Sequence, residues 1–197
     1  MHKAAACIAT ILVGPFAWGF RVLERAGVLH LPGISQLLAL LPGRPGQVLR
    51  PIFYSMVLDG VSRHCRIEFG TIFANKDIRI GNNVYIGAYC IIGGCSIGGN
   101  TLVGSFVDIM AGPHTHGIRQ TAVPIREQPG KYEPVTIGSD CWIGNKAVVM
   151  RSVGDGSIVG AGSIVNRPVP PGSVVAGNPA RVIGTRARQD CGNGITG

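Results

Sequence analysis

Two histidines, His114 and His116, stand two residues apart in the stretch Pro113-His114-Thr115-His116-Gly117, and three cations, Arg119, Arg126 and Lys131, follow close behind. Imidazole has an ordinary pKa of about 6.5, so it takes up and returns protons near neutral pH. A zinc centre of the three-histidine kind needs one more imidazole nearby, and no C-x-x-C pair offers thiolates instead, so no metal is expected. The two histidines belong to a segment, Pro113 to Pro134, that interrupts an otherwise regular repeat. Long insertions in a compact array are usually functional, which makes this one the first place to look for chemistry.

The repeat that must position it runs from about Ile80 to Val165. Its apolar positions are Ile80, Ile86, Ile92, then Ile97, Val103, Ile109, then Ile137, Ile143, Val149, then Val153, Val159, Val165. Nine of these twelve are followed at once by glycine; Met110, Met150 and Asn166 are the exceptions. Small or β-branched residues such as Cys90, Thr101, Cys141, Ala147, Ser157 and Ser163 recur four positions after the apolar ones. A period of six fits neither a helix nor an ordinary strand. It fits a short strand and a corner per hexad, stacked as a parallel β-helix. No hexad can bury its apolar side alone, so the array is stable only as a stack. An antiparallel sandwich would show two-residue alternation and hairpin turns instead.

Residues 1–62 read as a helical cap. Ala4 to Phe20 carry no charge, but the run is just short of a membrane span and Pro15 interrupts it. A membrane-surface or capping helix is therefore expected, ahead of a spanning helix or a cleaved signal peptide. Ile34 to Leu41 and Gln47 to Leu58 read as short helices separated by Pro42-Gly43, covering the first open end of the coil. Residues 63–183 form the β-helix, with the inserted loop at 113–134. Pro168 to Ile183 closes the repeat and returns along its side, and 184–197 reads as a mobile tail. Charged residues make up 14% and the net charge is +8, yet no Lys/Arg run is interleaved with aromatics. A phosphate-bearing small ligand or an anionic membrane surface suits this distribution better than nucleic acid. The six cysteines are dispersed and read as free thiols in a reducing cytoplasm, with Cys90 and Cys141 in small inward slots.

The hexads, VTIGSDCWIGNKAVV (135–149) and GAGSIVNRPVPPGSVVAGNPARVI (160–183) resemble the hexapeptide-repeat acyltransferases, and among them the sugar O-acetyltransferases. LLPGRPGQVLR (40–50) looks most like the polysaccharide-biosynthesis branch. The resemblance implies a mainly β protein, a left-handed parallel β-helix, assembled as a homotrimer with sites between neighbouring prisms. It implies acetyl-coenzyme A as co-substrate and a sugar or capsule-type polysaccharide as acceptor, and the apolar N-terminal segment points to a cytoplasmic enzyme at the inner face of the membrane. The family's base sits at the start of the inserted loop in a T-H-P or G-H-P setting. The match here is His116, in Thr115-His116-Gly117; Gly117 replaces the proline and leaves His114 as the alternative. By the same resemblance the backbone N–H of Asn145 is the oxyanion donor and Trp142 walls the cleft. Ala161, Arg167 and Arg181 would then hold coenzyme A, and Asn75 and Asp108 would face the acceptor, with Asp108 orienting a histidine.

Other readings fit less well. Serine acetyltransferase shares fold and donor, but carries a large helical N-terminal domain and a histidine late in its loop, where IREQPGKYEP (125–134) has none. A γ-type carbonic anhydrase lacks its third histidine here. A structural β-helix predicts regular outward Thr or Asn ladders, which are missing. A streptogramin-type drug remains the rival acceptor.

Overall fold

The computed structural model describes residues 2–186. Two residues of strand followed by a four-residue corner bring every sixth side chain back to the interior, as in Tyr85–Ile86, the corner 87–90, then Ile91–Ile92. All twelve apolar positions of the repeat, from Ile80 to Val165, are at most 2% exposed. Each such burial contributes roughly 1.5–3 kcal/mol, and branched side chains of one kind stack without voids.

The prism has three faces. The first holds β3 (Ile78–Ile80), β6 (Cys95–Ile97) and β9 (Val135–Ile137). The second holds β1 (Arg66–Ile67), β4 (Tyr85–Ile86), β7 (Leu102–Val103), β10 (Trp142–Ile143), β12 (Ile158–Val159) and β14 (Ser173–Ala176). The third holds β2 (Ile72–Phe73), β5 (Ile91–Ile92), β8 (Asp108–Ile109), β11 (Val148–Val149) and β13 (Ile164–Val165). Neighbours within these faces are parallel and in register, so Ile67, Ile86, Val103, Ile143, Val159 and Val175 form one inward column. The last strand, β15 (Arg181–Thr185), turns back antiparallel on β14.

The coil is longer than the regular hexads. Val61, Ile67 and Phe73 form a full coil below Ile80, and Val169 and Val175 continue the stack above Val153 and Val159. β15 occupies residues through Thr185; the rest of the expected tail, from residue 187, lies outside the described residues.

The glycines after the apolar positions answer to the coil stacked on them. At Gly87 an added Cβ would lie 2.6 Å from the backbone of Gly104, and at Gly144 it would lie 2.5 Å from Ala161 N. The next coil excludes the side chain, whatever the local conformation. The left-handed turns fall two residues later, at Tyr89, Phe106 and Lys146 on one edge and at Asn83, Asn100 and Asp140 on another, with φ of +55° to +60°. Asn and Asp accept that region readily, whereas an aromatic there costs on the order of 1–2 kcal/mol. Tyr89 and Phe106 offset part of this by stacking at 5.2 Å.

The small inward slots are as expected. Cys90 and Cys141 are buried, and the four described thiols, which include Cys65 and Cys95, are free. Burial pushes the Cys65 and Cys95 pKa values up to about 12, so these thiols stay protonated. Hydroxyls in the same slots rivet coil to coil: Thr71 Oγ1 donates to Gly87 O at 2.7 Å and accepts from Cys90 N at 3.1 Å.

Three helices cover the first coil: α1 (His2–Arg25), α2 (Leu31–Ala39) and α3 (Gly43–Val57). Tyr54 stacks on Phe73 at 4.2 Å, and Ser35 Oγ bonds both the Tyr54 hydroxyl and Phe73 N at 2.7 Å. Arg50 is fully buried and clasps the junction: Nε donates to Ile67 O (3.0 Å), and Nη1 to Leu38 O (3.2 Å) and Leu41 O (2.7 Å). A Met at this position keeps the length but strands three carbonyls. Arg50→Met should therefore lower the unfolding free energy by about 3 kcal/mol, measured by urea denaturation.

Candidate active site

The insertion leaves β8 and returns to β9 at the edge between the third and first faces. Its two limbs are pressed together, backbone against backbone. Gly130 lies directly on Thr115 O, and a Cβ on Gly117 would meet Pro129 O at 2.8 Å. This contact explains why glycine follows His116. Lys131 N–H donates to His114 O at 2.6 Å, and Glu133 N–H to Ala111 O at 3.1 Å. The buried Gln128 side chain fastens the tip, donating to Gln120 O (2.7 Å) and Val123 O (2.9 Å) and accepting from Gln120 N (3.1 Å).

This folding sets His114 and His116 on the rim of one shallow concavity with Arg119, Gln120 and Lys131. His114 Nδ1 lies 4.0 Å from Glu133 Oε2, the same oxygen that accepts from Arg151 Nη1 at 3.0 Å. The hydrogen bond from Lys131, aided by the charges of Lys131 and Arg151, holds the Glu133 carboxyl below its usual range, so it stays ionised beside the imidazole. Asp108 makes no hydrogen bond or ion pair with either histidine among the described residues. It points outward from β8 between Ile91 and Val148, and burial raises its pKa. Asn75 sits on the same edge as the loop, and its Nδ2 donates to the Tyr132 hydroxyl at 3.1 Å.

The edge between the second and third faces carries a different feature. There Ala88, Ser105, Asn145 and Ala161 occupy equivalent places on successive coils. Ala88 N–H donates to Ser105 Oγ at 3.2 Å, and Ser105 N–H to Asn145 Oδ1 at 2.9 Å. Each corner amide is thus capped by the side chain above it. Ala161 has no acceptor to offer, and the Asn145 N–H has no hydrogen-bond partner among the described residues. Trp142, half exposed on β10, flanks this corner between Leu102 and Ile158, and Arg181 follows at the start of β15, across from Ala176. Arg167 is elsewhere, on the loop's edge one coil above Arg151. A single prism therefore brings together Asn145, Ala161, Trp142 and Arg181 on one edge. It gathers His114, His116, Glu133, Asn75 and Arg167 on the other.

The family model described as "Hexapeptide repeat of succinyl-transferase" matches residues 77–105 and 134–167. Galactoside O-acetyltransferase of Escherichia coli (strain K12) is 52% identical over 52 residues, 25% of this chain and 26% of that protein. WbbJ of the same strain, named for lipopolysaccharide O-acetyl transfer, is 30% identical over 123 residues, 58% of this chain and 60% of its own length. The match thus spans only part of these curated relatives. A solved galactoside acetyltransferase in complex with coenzyme A aligns with 87% of this chain and 92% of its own, at 26% identity and a TM-score of 0.63. The chain carries the hexapeptide repeat of that family model and is similar to sugar O-acetyltransferases built on it. A hexapeptide-repeat acetyltransferase from Vibrio cholerae, at 22% identity and a TM-score of 0.67 over 79% of this chain and 89% of that one, shares the left-handed parallel β-helix.

The loop supplies Gln128, Tyr132 and Glu133, and the coil above it supplies Arg151, all of which the sequence reading passed over. The one signal for Tyr132 and Glu133 is their place just before the hexads resume, in KYEPVTIG (131–138). No group of three or more metal-ligating side chains occurs among the described residues. Gln128→Ala should free the loop tip without unfolding the coil. Trypsin should then cut at Arg119, Arg126 or Lys131 roughly tenfold faster, as expected for losing about 1–3 kcal/mol of local hydrogen bonding. Mass spectrometry of the fragments would check it.

Proposed function

We propose that the chain moves an acetyl group from acetyl-coenzyme A to a sugar hydroxyl, as a homotrimer serving polysaccharide assembly at the inner face of the cytoplasmic membrane. Residues 63–183 form the transferase domain on this reading, and 1–62 its cap. The observation that carries it is the uncapped Asn145 amide. An N–H at an exposed corner with no partner on its own chain is a ready donor for an oxygen that gains charge during reaction. Similarity to the galactoside enzyme with bound coenzyme A supports a thioester as the group presented there.

The reaction needs three moves. An imidazole takes the proton of the sugar hydroxyl as the oxygen attacks the thioester carbon. The carbonyl oxygen becomes an oxyanion, held by Asn145 N–H. The tetrahedral intermediate then expels the coenzyme A thiolate, which recovers the proton from the imidazolium. Of the two candidates, an ionised Glu133 carboxylate 4.0 Å away favours His114, because a nearby carboxylate stabilises the imidazolium formed midway. His116, expected from the family's loop pattern, is then a neighbour that shapes the acceptor side. Ala161, Arg181 and Trp142 suit the pantetheine and phosphate portions of the donor. Because the imidazoles and Asn145 lie on different edges of one prism, the site needs a second copy to bring them face to face.

Two experiments test this. Ala161→Ser should place an oxygen over Asn145 N–H as Ser105 does over Ala88, lowering kcat by roughly 10²-fold with the oligomer intact. His114→Ala should reduce kcat by about 10²–10⁴-fold while coenzyme A binding by calorimetry persists, and His116→Ala should cost much less. Full turnover in Ala161→Ser would remove the oxyanion assignment, and full turnover in His114→Ala would return the role to His116.

A further inference from the structure

We infer that the outward face of α1, with the cations along its flank, is a docking surface for anionic lipid. The inner side of the helix is spent on the protein: Val13, Ala17 and Phe20 are buried, and the Phe16 and Phe20 rings lie 5.6 and 5.5 Å from Phe53. On the opposite side Ile11, Pro15, Trp18 and Val22 fall on one stripe at helical spacing, and Leu12 and Leu23 run beside it. Ile11, Leu12 and Trp18 are 68%, 71% and 71% exposed. No charged side chain interrupts these stripes. Arg21 and Arg25 border them on one flank, at the spacing where basic side chains reach toward headgroups.

Charge decides the occupant. Residues 1–58 contain one acid, Glu24, against Lys3, Arg21, Arg25, Arg44 and Arg50. Glu24 is turned inward, 16% exposed, and bound to Lys76 at 3.0 Å, while Arg50 is buried in the clasp. A second copy laid against this face would oppose arginine with arginine and offer no acid to pair. An anionic bilayer offers acyl chains to the apolar stripe and phosphates to its flank. No helix among the described residues is long and apolar enough to cross a membrane, so α1 would lie in the interface, at a depth that suits Trp18. This surface gives substance to the membrane placement proposed above, and it is tested by binding alone.

Trp142→Phe leaves Trp18 as the one remaining tryptophan of the two in the chain. On adding vesicles of phosphatidylglycerol and phosphatidylcholine, its emission should shift to the blue and be quenched by brominated acyl chains. Wild-type protein should sediment with these vesicles at least about tenfold more than with pure phosphatidylcholine, and less as salt rises. Ile11→Glu with Trp18→Glu should abolish sedimentation at an unchanged circular dichroism spectrum, and His114→Ala should retain it. Sedimentation by His114→Ala without acetyl transfer would separate docking from catalysis. Unshifted Trp18 emission with no sedimentation of the wild type overturns the inference. So does dissociation of the oligomer by the glutamate pair, which would assign the face to a second copy.

Discussion

The hydrogen bond from one coil to the next is the constraint from which the rest of this structure follows. Tyr85 N–H reaches Thr101 O at 3.0 Å, Leu102 N–H reaches Cys141 O at 2.8 Å, and Trp142 N–H reaches Ser157 O at 3.0 Å. With the coils locked in register, every side chain meets its counterparts above and below. A residue's surroundings are then set by the same place on the next coil, 16 to 40 residues away in the sequence, as the Ser105–Asn145 and Ser139–Asp155 bonds show. That is why Gly87 and Gly144 must be glycine, and why a hydroxyl at Thr71 can satisfy two backbone groups at once. It is also why an alanine at position 161 has an effect on Asn145.

Much of this was legible in the sequence because a sixfold apolar period has few physical explanations. The hexads located the interior column, the insertion and the inward cysteines. Legibility failed where the period is broken by corners of unusual length. Phe73 and Ile80 are seven residues apart, and Glu68 and Phe69 stand where glycine and a small residue would be expected, so the first coil falls outside the regular hexads. At the other end Val169 and Val175 sit among prolines that read as a terminator, although proline is harmless at a corner where no amide is needed. The uncapped Asn145 amide was present in the sequence, but only as an alignment of four corners. The partner of His114 was not. Glu133 is 19 positions downstream, and nothing periodic links the two; their approach depends on the return path of the loop.

That loop shows how an irregular segment can be held as firmly as a regular one. Its limbs meet at glycines, its tip closes on one buried amide side chain, and its base repeats the coil's own bonding through Glu133 N and Val135 N, which reach Ala111 O and Gly94 O at 3.1 Å. Tyr132 lies over Gly94 and ties to Asn75, so the loop rests on the coil below through aromatic surface and a hydrogen bond. The histidines thus project from a braced element, which a proton-transfer group needs if its ring is to meet a hydroxyl at hydrogen-bond distance.

The same rigidity creates a geometric difficulty for one chain. A prism held in register cannot bend to bring two of its edges together, and the third face stands between the corner of Asn145 and the corner of His114. Flexibility in the loop would not close the gap, since the contacts of Glu133 with Arg151 and of Tyr132 with Asn75 hold its base to its own edge. In the proposed chemistry the parts meet across a cleft between two copies, each giving a different edge. Rigid prisms suit that arrangement, because positions fixed within each copy stay fixed across the contact. Assembly would then supply the alignment that a hinged enzyme obtains by closing, and the donor would be gripped along an edge whose spacing is the coil's own.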